Sequence, residues 1–102
     1  MQKHTLYVGL FDKDTKAQRF TTLEAYKVAE TVVLNYAGGA TISEACGIYK
    51  HDDGTVVTEP SLRIELAGLD AVTIKTIIDG LKLSLNQESV MVEVSQSAVS
   101  FE

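Results

Sequence analysis

The sequence predicts an α+β fold in which one four-stranded antiparallel sheet carries two helices on one face. Three observations predict it. His51-Asp52-Asp53-Gly54 is a tight-turn signal between two β-rich runs inside residues 40–66. Two segments, 22–37 and 71–85, repeat apolar residues at helical spacing. Two shorter alternating runs stand at the ends of the chain, giving the order strand, helix, strand, strand, helix, strand.

The first strand is read at Thr5 to Phe11. Leu6, Val8 and Leu10 make one face, and Tyr7, Gly9 and Phe11 the other. Two apolar faces suit a central strand, and Gly9 leaves room for a close approach on the second face. Asp12 to Arg19 is a polar loop long enough to be a lid. Thr21 with Glu24 three residues on is a capping box, and the first helix is expected to run to about Ala37. Tyr26, Ala29, Val33 and Tyr36 form its inner stripe, and Gly38-Gly39 its C-terminal cap.

The second strand leads to the hairpin, where Gly54 takes the positive-φ position. Glu44 breaks its alternation, which places that residue at a bulge or near a sheet edge. In the third strand Leu62, Ile64 and Leu66 alternate with Ser61, Arg63 and Glu65. Pro60 has no ladder donor and marks a strand start, a bulge or an unpaired edge. Asp70 caps the second helix, whose inner face is Ile74, Ile77, Ile78, Leu81 and Leu85. Gly80 inside that helix signals close packing. Val90, Val92 and Val94 then alternate as the fourth strand. Two right-handed crossovers turn this order into a ferredoxin-like βαββαβ plait with the first and third strands central.

Composition narrows the class. A chain of 102 residues with 45% hydrophobic and 23% charged residues is one ordinary globular domain. No apolar run is long enough to span a bilayer, and no basic-then-apolar segment opens the chain. Cys46 is alone, which fits the reducing cytoplasm and a small buried hydrophobe. The net charge is −5, and the basic residues form no stripe, which argues against direct nucleic-acid binding. An acidic surface also fits docking on a basic protein partner.

No catalytic or metal motif stands out, and no cofactor is implied. His51, Asp52 and Asp53 are adjacent on one turn and converge poorly on an ion. His4 is expected in solvent. The sheet face without helices gathers Tyr7, Phe11, Arg63 and Met91, a set suited to a subunit interface and hence to a homo-oligomer. Glu65 and Glu93 share that face, either as an acid/base pair or as charges fixing an interface.

Gly39 to Tyr49 (GATISEACGIY) resembles the second-strand segment of PII-type signal proteins, a Gly-hydrophobic-Thr followed by Gly-x-Gly. The third strand and the Ile-rich second helix resemble theirs too, and CutA-type proteins share the plait. The resemblance implies this fold, an oligomeric assembly and a small-molecule cleft at Thr41; on this chain's own residues a ligand is expected near Thr41, Tyr49 and the open-face carboxylates Glu65 and Glu93. Tyr49 stands where the second Gly of the motif would be, and the loop between strands two and three is cut to a turn. The turn before the last strand, Leu85-Asn86-Gln87-Glu88-Ser89, has no Gly or Lys to cradle phosphates, which speaks against ATP. Lys50 is then the only basic residue expected near the cleft, with Lys82 in reach from the second helix. The expected function is a non-enzymatic oligomeric binding or regulatory module for a small uncharged or cationic ligand. Two other classes fit the same residues: an acidic inhibitor protein of the anti-CRISPR kind, and a small plait enzyme.

Overall fold

The computed structural model, covering residues 1–102, has the predicted order: β1 (Gln2–Gly9), α1 (Thr22–Leu34), β2 (Thr41–Lys50), β3 (Val56–Ala67), α2 (Ala71–Ser84) and β4 (Met91–Gln96). The sheet is antiparallel with strand order β2-β3-β1-β4, so β1 and β3 are central. This is the ferredoxin-like plait. No helix is long and apolar enough to cross a membrane.

The core lies between the sheet and the helices. Leu6, Val8, Leu62, Ile64 and Leu66 from the sheet meet Ala25, Ala29, Val33, Ile74, Ile77 and Leu81 from the helices. The helices approach closely where Gly80 of α2 faces Val32 of α1. A Cβ on Gly80 would lie 2.9 Å from Val32 Cγ1, which is why α2 has no side chain there. The capping box forms as read: Thr21 Oγ1 accepts from Glu24 N–H, and Thr21 N–H donates to the Glu24 carboxylate. Asp70 caps α2 by accepting from Thr73 N–H at 2.7 Å.

Four details differ from the sequence reading. The regular part of α1 ends at Leu34, and Asn35, not Gly38-Gly39, is its C-cap. Tyr36 and Ala37 N–H groups both donate to Val33 O, so the helix closes itself before the glycines, and neither glycine takes a positive φ. Tyr26 and Tyr36 are partly exposed, because Ala25, Ala29 and Val33 alone fill the space over the sheet. Cys46 is exposed, since β2 is an edge strand that the helices do not cover at that point. His4 is buried at 6% exposure with Nδ1 unpartnered: β1 starts at Gln2, and His4 shares the inward parity of Leu6 and Val8 between Leu66 and Val94. Glu44 is exposed on that same edge strand, as expected.

The register explains the molecule's shape. β1 pairs with β3 only as far as Gly9↔Ser61, whereas β2 and β3 stay paired out to Lys50↔Val56. Residues 46–50 and 56–60 therefore leave the sheet as a two-stranded ribbon, within overall extents of 46 × 25 × 24 Å. Gly54, at φ +91°, closes the ribbon tip, with its N–H donating to His51 O at 2.9 Å. Pro60 sits where the ribbon departs. Its carbonyl accepts from Leu10 N–H at 3.0 Å, but proline has no N–H to return the bond to Leu10 O, so the β1–β3 ladder ends there.

Candidate functional site

The ribbon turns the helix-free sheet face into a cleft of about 770 Å³. Tyr7, Gly9 and Phe11 from the β1 edge form its floor. Tyr49, His51, Val57 and Glu59 of the ribbon form one wall. The opposite wall is Asp12, Lys13 and Lys16 from the β1–α1 loop, with Gln87, Glu88, Ser89 and Met91 from the turn into β4.

Glu59 is the central group. Its side chain folds from β3 onto the floor, and Oε2 accepts from Phe11 N–H at 2.9 Å. The carboxylate lies where a side chain at position 9 would be, since a Cβ on Gly9 would stand 2.7 Å from Glu59 Cδ. Half-buried, it has no cation within ion-pair distance; the ion pairs of the molecule are Lys3–Glu65, Arg63–Glu65 and Lys75–Asp79.

The wall opposite is a braced loop. Asp12 accepts from Asp14 and Thr15 N–H through Oδ1 and from Asn86 Nδ2 through Oδ2, at 2.8 to 3.1 Å. The Asn86 amide, then the two backbone donors, hold the Asp12 carboxyl below its ordinary value. Asn86 Nδ2 also donates to Asp14, and Gln87 Nε2 donates to Phe11 O at 2.9 Å. These bonds tie the β1–α1 loop to the α2–β4 turn across 72 to 76 residues of chain. Lys16 and Asn86 are the two non-glycine residues with positive φ, 61° and 49°.

Of the residues singled out from sequence, Tyr7, Phe11, Tyr49 and Met91 line this cleft. Thr41, Glu65 and Glu93 do not. They form a separate row across the sheet, Thr41–Glu65–Thr5–Glu93, one row beyond the Arg63–Tyr7–Met91 row that borders the cleft. Glu65 and Glu93 are separated by β1, so their backbones are about 10 Å apart, and no hydrogen bond joins the two side chains. Glu65 is instead held by Lys3, which lowers its carboxyl from the ordinary value with help from Arg63. Arg63 Nε reaches Tyr7 Oη at 3.4 Å, a contact that raises the guanidinium further, and so links that row to the cleft. Lys50 and Lys82 stay outside the cleft wall, and Lys13 and Lys16 are there in their place. Glu59 was legible only as an odd-numbered neighbour of Ser61, Arg63 and Glu65; Pro60 interrupts the run and hides it. His51, Asp52 and Asp53 gather no further ligands at the hairpin tip.

A family profile described as a protein of unknown function (DUF3574) matches residues 3–101. No curated protein matches the sequence. Among solved structures, a phage SAM lyase in complex with S-methyl-5'-thioadenosine is similar at 24% identity and TM-score 0.67, over 93% of this chain and 80% of that one. CutA from Synechococcus elongatus is similar at 13% identity and TM-score 0.59, over 94% and 75% of the two chains. A DUF3240 family protein from Shewanella baltica aligns at 8% identity and TM-score 0.52, over 97% of each. At these identities the likeness is one of fold, and the CutA-like plait expected from the second-strand segment is found at that level.

Proposed function

The chain belongs to the DUF3574 family, and from that premise we propose that it is a binding module for a small nucleoside-sized ligand that is neutral or positively charged. The observation that carries this reading is the Glu59 carboxylate, fixed on the cleft floor by Phe11 N–H and left without a cation of its own. A half-buried carboxylate favours a positive ligand group, and the neighbouring Tyr7, Phe11 and Tyr49 rings offer apolar faces to a flat heterocycle. A cleft of about 770 Å³ accommodates a ligand of that size. The phage SAM lyase, with its bound thioadenosine, suggests the first compounds to try. The proposal extends to assembly: the module is a homo-oligomer, because the ribbon and the Tyr7–Phe11–Met91 side of the sheet stand uncovered beside the cleft. Its role is regulatory or sequestering, with the ligand returned unchanged, and its setting is cytoplasmic.

Isothermal titration with S-methyl-5'-thioadenosine, S-adenosylmethionine and ATP tests the reading. The first two are expected to bind and ATP is not, because Glu59 and Glu88 repel a polyphosphate and no glycine-rich turn cradles it. Glu59→Gln is expected to weaken binding of the sulfonium compound by about tenfold. Chromatography of the same mixtures reads the fate of the ligand, and its conversion to products would replace the binding module with the plait-enzyme reading. Saturable binding of ATP alone would overturn the proposal.

A further inference from the structure

The cleft presents two kinds of charge that nothing in the protein neutralises. Lys13 and Lys16 stand on the loop wall, and neither has an acidic partner within ion-pair distance. Glu59 lies on the floor and Glu88 on the turn, also unpaired. No ion pair joins the two kinds of charge across the cleft. Glu59 is fixed by Phe11 N–H. The Lys13 N–H donates to Asn86 O at 3.0 Å. The Lys16 N–H donates to Asp12 O at 2.8 Å, and Asp12 N–H to Ala17 O at 2.9 Å, closing a small ring of chain around a lysine with φ of 61°. Lysine has no intrinsic preference for that left-handed conformation, and such backbone persists where its surroundings over-determine it. The Asp12 and Asp14 carboxylates, which would otherwise compete for the two ammonium groups, are taken up by Asn86 and by backbone donors.

We propose that the cleft selects a zwitterion: a ligand whose carboxylate lies at Lys13 and Lys16 and whose cationic centre lies at Glu59. This rests on the small-molecule reading above and narrows its ligand to one bearing an amino-acid-like carboxylate beside an onium or ammonium group. It also reconciles lysines in the cleft with the expected rejection of polyphosphate, since two lysines balance one carboxylate, whereas Glu59 and Glu88 oppose the several charges of a triphosphate.

The test uses three compounds that share the thioadenosine unit: S-methyl-5'-thioadenosine, with neither charge; decarboxylated S-adenosylmethionine, with cations only; and S-adenosylmethionine, with both. Titrations are run on the whole protein and on Lys13→Gln/Lys16→Gln, with thermal unfolding as a check on folding; both lysines are exposed and the substitutions leave the backbone bonds in place. The intact protein is expected to bind S-adenosylmethionine about tenfold more tightly than its decarboxylated analogue. The double variant is expected to lose that difference and to keep its affinity for the neutral thioether. Equal binding of the two charged compounds by the intact protein, with the thioether still bound, would overturn the zwitterion proposal and leave the small-molecule reading standing. Binding of none of the three would remove both.

Discussion

Gly9 and Glu59 make a pair in which one residue's lack of a side chain positions the other's. Gly9→Ala must push the Glu59 carboxylate off the cleft floor, because the new methyl would occupy its place. The displaced group ends a flexible chain and the only hydrogen bond lost is that from Phe11 N–H, so the stability cost is expected to be no more than about 1 kcal/mol. Urea denaturation measures that cost, and the titrations above should show affinity falling as for Glu59→Gln. A loss of several kcal/mol would mean that the floor is rigid core. Asp12 makes a second residue-scale case. Its carboxyl is held below its ordinary value, so its contribution is fully present above the ordinary carboxylate range, near pH 4, and is lost as pH falls through the lowered folded value. Glu24, Asp53, Glu65 and Asp70 are lowered too, each by its own donor, so acid should weaken the fold progressively. Asp12→Asn should flatten, without abolishing, the fall in thermal midpoint between about pH 4 and pH 2. An unchanged slope would mean that the loop brace does not contribute to folding.

At the scale of the element, the assignment of faces is open to direct test. Ile64 is fully buried on central β3, and Ile64→Ala should cost roughly 2–5 kcal/mol in chemical denaturation. Lys75, on the outer side of α2, makes only the exposed pair with Asp79, and Lys75→Ala should cost no more than about 0.5 kcal/mol. Similar losses would contradict the layering. The elements were legible because their signals are local: alternation in β3, the Thr21–Glu24 box, Asp70, and the turn at Gly54 act within a few residues. The inward parity of Leu62, Ile64 and Leu66 likewise needs no knowledge of neighbours. What escaped depends on where an element stops relative to others. Periodicity places Tyr26 and Tyr36 on the inner stripe, but only the width of the sheet beneath decides that Ala25, Ala29 and Val33 fill it. The cleft escaped for the same reason. Its walls are a loop and a turn 72 to 76 residues apart, brought together by Asn86 and Gln87, and no spacing in the chain announces that contact.

Across the whole molecule, the ribbon stands clear of the sheet, with Ile48 at 75% and Val56 at 64% exposure on its flanks. Two strands with no third are marginal in water, and the free edges of β2 and β4 each present unpaired backbone groups. Light scattering over a dilution series is expected to give a mass above that of one 11.1 kDa chain, and a single-chain mass at all micromolar concentrations would count against assembly. The ribbon also sets up a contrast in time as well as in space. Amide protons on β1 are closed in by a strand on either side, so their exchange with deuterium waits on opening of the sheet. Those of residues 46–50 and 56–59 have at most one partner strand, and a fluctuation that parts two strands releases them without disturbing the core. The chain therefore carries its own clock: slow exchange at Leu6 and Ile64, fast exchange at Ile48 and Val57, with the gap between the two narrowing whenever something settles against the ribbon.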